Sequence, residues 1–350
     1  MSKKIKFIIT YLFFLILFFE LILRLLFSIV LKDYNIIKNP QNIIYKYYPE
    51  VKELSKQDIL VNDNVNSILL LGASVLEPTF GSIEVELKNK LKSENINAKI
   101  YNVSTPAHTS LDSRIKLSLL KDKHFDIIIF YHGINETRFN NCSDKFFKHD
   151  YSHIEFYKLI KPLLRSISNI TIIPYSINLL KVKFIKYISP ESLMNQGKIV
   201  YNEKNKIYGE HIKTEQSFSE NLKEIIKLSK AINAKLVLPT FSFYLTDDYN
   251  LNDFKAKRLD YAFNTSACPV ELWGYKENVK NSIVRHNKII YDLYRQDSLD
   301  ICFFDMNKYI PKNGENFNDI CHLTKIGSEI FVELLYPSIQ SCFLNKKKRK

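Results

Sequence analysis

A serine follows a short apolar run in the first quarter of the chain. The run at residues 67–71 leads directly into Gly72, Ala73 and Ser74, and a helical pattern comes next. A serine at the carboxyl end of a buried strand can face a crevice, where backbone N–H groups can receive an anion. Ser74 is therefore a candidate nucleophile, although Gly-x-Ser alone is common.

An aspartate and a histidine lie three residues apart near the other end of the chain. Asp319 and His322 stand just before the last helical pattern. At this spacing the carboxylate can accept the Nδ1 proton, which leaves Nε2 to remove a proton from a serine. Taken alone, the pair is more typical of a capping loop with a surface histidine.

Two further loops follow predicted strands. One covers residues 102–110 and includes Ala107, and the other includes Gly133 and Asn135. An amide donates hydrogen bonds without titrating, as an oxyanion hole requires, and backbone N–H groups can complete the hole. Asn135 in isolation would be interpreted as a turn residue, because asparagine is abundant in this chain.

Together the four blocks resemble the SGNH/GDSL hydrolase superfamily, whose members carry Ser, Gly, Asn and His in this order on a flavodoxin-like sheet. The resemblance covers about residues 67–335. The matching positions are Gly72 and Ser74 in the first block, Gly133 and Asn135 in the third, and Asp319 and His322 in the last.

The chain departs from the family pattern at three positions. Ala73 and Glu136 each stand where the family usually has aspartate, and Ala107 stands where it places an oxyanion glycine. A backbone N–H survives the last change. If the position requires a positive φ, alanine strains the turn or redirects the donor.

The resemblance implies a role for each matching residue. Ser74 would be the nucleophile, His322 the general base and later acid, and Asp319 the group that orients His322. The Ser74 N–H, the Ala107 N–H and the Asn135 side chain would form the oxyanion hole, with Gly72 and Gly133 in support. Such a site needs neither a metal nor an organic cofactor.

Alternating strand and helix patterns surround these motifs. Five apolar runs predict buried strands at residues 67–71, 99–103, 126–131, 235–239 and 300–305. Helical patterns cover about residues 83–91, 111–120, 219–232, 279–294 and 325–335. The alternation predicts an α/β fold with a five-stranded parallel sheet covered on both faces, which the resemblance makes flavodoxin-like.

An apolar stretch at residues 7–31 is long enough to cross a membrane. Only Glu20 and Arg24 interrupt it, and at a spacing of four they can pair on one helical face. No small-residue cleavage site follows, so we expect an uncleaved anchor. Lysines before the stretch place the N-terminus in the cytoplasm and the rest of the chain outside.

These patterns give a domain organisation. Residues 1–33 form the cytoplasmic N-terminus and anchor, and residues 34–65 a juxtamembrane linker. The hydrolase-like domain covers residues 66–340, with insertions at about 140–215 and 243–275, and residues 341–350 form a basic tail.

The composition and charge of the chain limit the partners, metal sites and disulfides that we expect. The net charge is +13, and the terminal run 346–350 supplies five of these charges. The remaining basic residues lack interleaved aromatics, so nucleic acid is not expected as a partner. His149 and His153 lack a third ligand and the usual glutamate, so no metal site is predicted. Five scattered cysteines leave room for one disulfide.

Three functions are consistent with these motifs and with the expected membrane anchor. The first is a membrane-anchored serine esterase that removes acyl groups, including O-acetyl groups, from cell-envelope carbohydrate or lipid. The same triad could instead transfer the acyl group to a sugar, which would make an O-acyltransferase. A non-catalytic glycan-binding or envelope-assembly protein is the third. The sequence leaves the substrate and the oligomeric state open.

Overall fold

The computed structural model describes residues 2–62, 64–190, 193–194, 203–261 and 267–347. The strands are β1 (Asn66–Gly72), β2 (Ala98–Asn102), β3 (Ile127–Tyr131), β4 (Lys235–Pro239) and β5 (Ile301–Phe304). The α-helices are α1 (Lys3–Val30), α2 (Asn35–Lys38), α3 (Pro49–Ser55), α4 (Ile83–Ser93), α5 (Ser110–Leu119), α6 (Glu155–Ile160), α7 (Ile173–Ile188), α8 (Glu203–Lys206), α9 (Thr214–Ala231), α10 (Leu251–Lys255), α11 (Lys276–Gln296), α12 (Met306–Tyr309) and α13 (Lys325–Lys347). Short 3-10 helices cover Pro40–Lys46, Asn135–Asn140, Lys161–Leu164, Ser166–Asn169, Ile207–Glu210 and Val270–Leu272.

The chain divides into two units. The smaller consists of Met1–Lys52 and Asp150–Gln196, and the larger of Glu53–His149 and Gly197–Lys350. Much of the first expected insertion therefore belongs with the N-terminal residues. Of the two expected insertions, residues 191–192, 195–202 and 262–266 lie outside the described part of the chain.

The larger unit is built on a parallel sheet with the strand order β2-β1-β3-β4-β5. Ile68 of β1 lies between Ile100 of β2 and Ile127 of β3. Runs of Ile, Leu and Val suit strands that are buried on both faces, and β3 is buried along its whole length. The five predicted strands and the α/β fold class are confirmed.

Helices cover the sheet in two layers. α4 packs against α13, whereas α5 packs against α9 and α9 against α11. Right-handed crossovers explain this division, because the connection from β1 to β2 runs in the opposite direction from the later ones. Alternate strand residues such as Ile68, Leu70, Ile127 and Ile129 share one core with Leu87 of α4 and with α13.

The segment expected to be a juxtamembrane linker contains helical structure. The segment at residues 34–65, which we expected to link anchor and domain, includes α2, a 3-10 helix and α3. Ile36, Ile43, Tyr48 and Val51 are buried there. Burial of these apolar side chains stabilises the folded segment. Its sequence is rich in Asn, Lys and Tyr and shows little periodicity, which is why it was expected to be a linker.

The last helix is longer than predicted. α13 continues beyond the predicted end at about residue 335 to Lys347, with Pro337 inside it. Ile339 and Cys342 remain buried beyond the proline, so the packed face continues. Cys342 forms a disulfide with Cys302 of β5. Residues 348–350 of the expected basic tail lie outside the described residues.

Candidate active site

Ser74 lies in a tight turn at the end of β1. The strand ends at Gly72, and the Leu76 N–H donates to the Ala73 carbonyl at 3.1 Å. A Cβ atom on Gly72 would lie 2.7 Å from Leu76 Cδ1, so a larger residue at position 72 would force the Leu76 side chain to move. The turn leaves Ser74 buried but at the carboxyl edge of the sheet, where ligands of such folds bind.

His322 connects Ser74 to Asp319. The Ser74 Oγ lies 2.8 Å from His322 Nε2, and His322 Nδ1 lies 2.7 Å from Asp319 Oδ2. Ser74 and His322 are 248 positions apart in the sequence, whereas Asp319 and His322 are three positions apart. The fold thus brings the three predicted side chains into one chain of hydrogen bonds, in which the histidine can move a proton away from the serine.

The Asp319 carboxylate is fully buried and is held by backbone donors. Its Oδ1 accepts from the N–H groups of Cys321 at 2.9 Å and His322 at 2.8 Å. Its Oδ2 accepts from the Cys268 N–H at 2.7 Å as well as from the imidazole. The Phe80 ring stacks on the imidazole with a centroid distance of 5.2 Å. Together these contacts fix the orientation of the histidine.

Ala107 has φ +66°, in the left-handed region. Glycine adopts this conformation without strain, whereas for an L-residue with a Cβ atom it costs about 1–2 kcal/mol. The Arg138 guanidinium donates from Nη2 to the Ala107 carbonyl at 2.9 Å and so holds this loop. The position therefore has the positive φ at which alanine was expected to strain the turn.

Asn135 is oriented from both ends of its amide. Its Nδ2 donates to the His108 carbonyl at 2.9 Å, and its Oδ1 accepts from the Trp273 indole N–H at 3.1 Å. The first contact joins Asn135 to the loop that carries Ala107. The second fixes which end of the amide faces that loop.

Gly133 allows the chain to pass closely beside Phe241. A Cβ atom at this position would lie 2.5 Å from the Phe241 Cβ. The Gly133 carbonyl also accepts from His286 Nδ1 at 2.9 Å. Burial lowers the pKa of His286 to about 4, so this imidazole is neutral and can donate only from one nitrogen. Close packing against Phe241 therefore explains the glycine at position 133.

Buried polar groups lie next to the Asn135 loop. Glu136 is fully buried and accepts from the Ser110 N–H at the start of α5. Burial raises the pKa of Glu136 to about 7, and the nearby Asp112 acts in the same direction. The pKa of His132 falls to about 3 through burial, and its Nε2 lies 2.7 Å from Ser113 Oγ.

One group of potential metal ligands lies within the described residues. Ligand atoms of Cys268, Asp319 and His322 are within 4.8 Å of one another. Burial raises the pKa of the Cys268 thiol to about 12, so the thiolate that a metal would require is disfavoured. Asp319 and His322 already bond to each other, and this donor set fits a proton relay better than a metal.

Sequence reasoning did not identify Trp273, Arg138 or His286 as parts of the site. Arg138 lies one helical turn after Asn135, a spacing that offered a weak signal. Trp273 and His286 reach the site from segments more than a hundred residues away, and only the tertiary structure relates them to it.

The strand order and the arrangement of the four motifs now agree with one architecture. The order β2-β1-β3-β4-β5 is that of flavodoxin-like sheets, and the motifs follow β1, β2 and β3 and precede the last helix. The chain has a flavodoxin-like fold, which is the fold that its resemblance to SGNH hydrolases implies.

Solved structures of SGNH-type proteins are similar to this chain. A GDSL-like lipase from Bacteroides thetaiotaomicron aligns with a TM-score of 0.43 and 11% identity over 85% of this chain and 97% of the lipase. The psychrotrophic esterase EstA from Pseudoalteromonas aligns with a TM-score of 0.40 and 15% identity over 80% and 99%. A lipase/acylhydrolase from Enterococcus faecalis gives a TM-score of 0.40 and 14% identity over 79% and 96%.

The sequence matches no protein-family model and none of the curated proteins with which it was compared.

Proposed function

We propose that this chain is a serine hydrolase of the SGNH/GDSL superfamily that cleaves carboxylic esters. The observation that carries the proposal is the continuous line of hydrogen bonds from Ser74 through His322 to Asp319. A line of this kind activates a serine hydroxyl at neutral pH, because the imidazole accepts its proton as the oxygen attacks.

The first half of the reaction forms an acyl-serine. Ser74 Oγ attacks the ester carbonyl carbon while its proton passes to His322 Nε2, and Asp319 stabilises the resulting imidazolium. The carbonyl π-electrons move to the oxygen, which becomes an oxyanion. Collapse of this intermediate breaks the bond to the alcohol oxygen, which takes the proton from His322.

The oxyanion hole would consist of the N–H groups of Ser74 and Ala107 and the side chain of Asn135. One Nδ2 hydrogen of Asn135 is bound by the His108 carbonyl, and the amide carries a second hydrogen that can point at an oxyanion. Donors fixed before the reaction stabilise developing charge without reorganisation.

The second half of the reaction removes the acyl group. His322 takes a proton from water, the hydroxide attacks the acyl carbon, and Ser74 leaves with the proton restored from the imidazole. A sugar hydroxyl in place of water would make the product a new ester. The same residues would then act as an O-acyltransferase.

We further propose that α1 anchors the protein in the cytoplasmic membrane, with the catalytic domain at residues 66–340 on the outer side. α1 is apolar and long enough to span a bilayer. Within the smaller unit, its Glu20 accepts from the Ile172 N–H at 3.0 Å and from the Thr171 hydroxyl at 2.7 Å. Cleavage of α1 would remove the acceptor of both donors, which supports an uncleaved anchor.

This location supports acyl esters of cell-envelope carbohydrate or lipid, including O-acetyl esters, as the substrate class. The deciding experiment for catalysis is labelling of the full-length protein with a fluorophosphonate probe. Wild type and Ser93→Ala, which changes an exposed serine at the end of α4, should be labelled, whereas Ser74→Ala should not.

Absence of labelling in folded wild-type protein would favour the non-catalytic binding role. An ester assay with and without added oligosaccharide then separates the two enzymatic roles. Free acid as the main product supports hydrolysis, and acylated oligosaccharide as the main product would replace our proposal with acyl transfer.

A further inference from the structure

The helix α7 in the smaller unit is apolar on two opposite sides. One side is packed, with Tyr175 only 2% exposed and Val182 only 1%. The other side exposes 60% of Ile177, 68% of Leu180 and 64% of Phe184. The spacing of these three residues places them on one face of the helix. A helix in water would normally carry polar residues there.

The exposed apolar surface continues into the segment before α7. Leu164, Ile167 and Ile170 are 41%, 43% and 69% exposed. Six large apolar side chains between residues 164 and 184 therefore face away from the unit, and Ile188 at the end of α7 adds a seventh at 61%. We call the seven side chains the apolar stripe. Large apolar side chains that are exposed together in one segment are typical of an interaction site.

The segment that leads into α7 is tied to the apolar helix α1. The Arg24 guanidinium donates to the Ile170 carbonyl and, at 2.8 Å, to the Ile37 carbonyl. Glu20 bonds to Arg24 at 2.7 Å and accepts from Thr171 and Ile172, as described above. The Phe27 ring meets the Tyr175 ring edge-on at 5.6 Å. The only two charges within the apolar stretch are thus used to hold this segment.

These contacts fix the depth of the segment relative to α1. Arg24 and Glu20 lie six and ten residues before the end of the helix at Val30, which corresponds to about 9 and about 15 Å along its axis. If Val30 lies at the outer surface of a bilayer, the beginning of α7 lies at the level of the outer lipid leaflet.

Charge along α7 also fits a lipid surface. The helix contains no acidic residue, and Lys181 and Lys183 stand next to residues of the exposed apolar face in the sequence. Basic side chains beside an apolar face are typical of helices that lie in the interface of anionic membranes.

We propose that the apolar stripe of α7 and the preceding segment lies in the outer leaflet of the membrane as a second contact beside α1. This inference rests on the proposed anchoring by α1. The occupant of the stripe is lipid, with acyl chains against Leu180 and Phe184 and anionic headgroups near Lys181 and Lys183.

The test uses the full-length chain reconstituted in vesicles of phosphatidylcholine and phosphatidylglycerol. Phe184→Trp places a fluorophore in the stripe, and Lys186→Trp places one on the same helix away from it, where Lys186 pairs with Glu155 at 2.8 Å. The natural protein has a single tryptophan, the buried Trp273, whose emission is subtracted.

Lipids brominated in their acyl chains should quench the Phe184→Trp emission by about half or more and the Lys186→Trp emission far less. Co-flotation of the wild type with the vesicles is measured separately and tests the anchor. Loss of flotation would contradict anchoring by α1, whereas flotation with equal, weak quenching of both variants would overturn the inference about α7.

A further outcome would also overturn it. Blue-shifted but unquenched Phe184→Trp emission, together with chemical cross-linking of two chains through the smaller unit, would show that a second copy and not lipid covers the stripe.

Discussion

The indole N–H of Trp273 donates to the Asn135 side-chain oxygen at 3.1 Å. This contact determines that the Asn135 nitrogen, and not its oxygen, faces the loop that carries Ala107. A residue in the second expected insertion thus sets the direction of a proposed oxyanion donor.

Trp273→Phe should lower kcat by about tenfold with little change in KM, because Asn135 loses its orientation but remains present. Asn135→Ala removes the donor and should lower kcat by about 100-fold or more. In the double variant the loss should equal that of Asn135→Ala alone. Losses that multiply in the double variant would show that Trp273 acts independently of Asn135.

Ala107→Gly should stabilise the protein by about 0.5–1 kcal/mol. Glycine removes the strain of the left-handed backbone, and this gain exceeds the added entropy of the unfolded chain. The midpoint of urea unfolding of the larger unit measures the effect. Ala231→Gly, at the exposed end of α9, serves as the control and should destabilise instead. Destabilisation by both changes would contradict a positive φ at Ala107.

Asp319→Asn should lower kcat by about 10³–10⁴-fold, because the amide no longer holds the histidine in the tautomer that accepts the serine proton. Fluorophosphonate labelling of Ser74 should slow accordingly. Asp292→Asn changes an exposed carboxylate paired with Lys288 and should leave the rate unchanged. Full activity of Asp319→Asn would remove Asp319 from the proposed triad.

Glu136 should make stability depend on pH. Burial raises its pKa from 4.5 to about 7 in the folded protein, so the folded state binds the proton more tightly than the unfolded state. The contribution of Glu136 is then greatest below pH 4.5 and is lost as the pH rises towards 7. Its Oε2 has no hydrogen-bond partner in the described part of the chain, which makes the charged form costly.

Glu136→Gln keeps an acceptor for the Ser110 N–H and removes the titration. Melting temperatures of wild type and variant, measured at steps between pH 5 and pH 8, should converge at the acidic end and separate as the pH rises, with the variant more stable at neutral pH. Parallel curves would show that Glu136 does not titrate in this range.

The strands and the hydrogen bond between Asp319 and His322 followed from local sequence signals. Buried parallel strands require short runs of Ile, Leu and Val, and the aspartate and histidine of the last block are near neighbours in the chain. The orientation of Asn135 did not follow, because it depends on Trp273, which lies 138 residues away. The extension of α13 past Pro337 was missed because its burial against β5 outweighs the local effect of the proline.

Glu20 and Arg24 show a similar limit. In the sequence they only interrupt an apolar stretch, and their mutual pairing was expected from their spacing. Their bonds to Ile170, Thr171 and Ile172 join segments about 150 residues apart, which no local pattern encodes.

Residues 268–273 hold Asp319 through the Cys268 N–H and Asn135 through Trp273. A single short stretch therefore contacts both the carboxylate that would orient the proposed base and the amide that would bind the oxyanion. The rest of the second expected insertion could change during evolution to admit esters of different shape, provided that these two hydrogen bonds were kept. Chemistry and selectivity would then diversify separately within one loop.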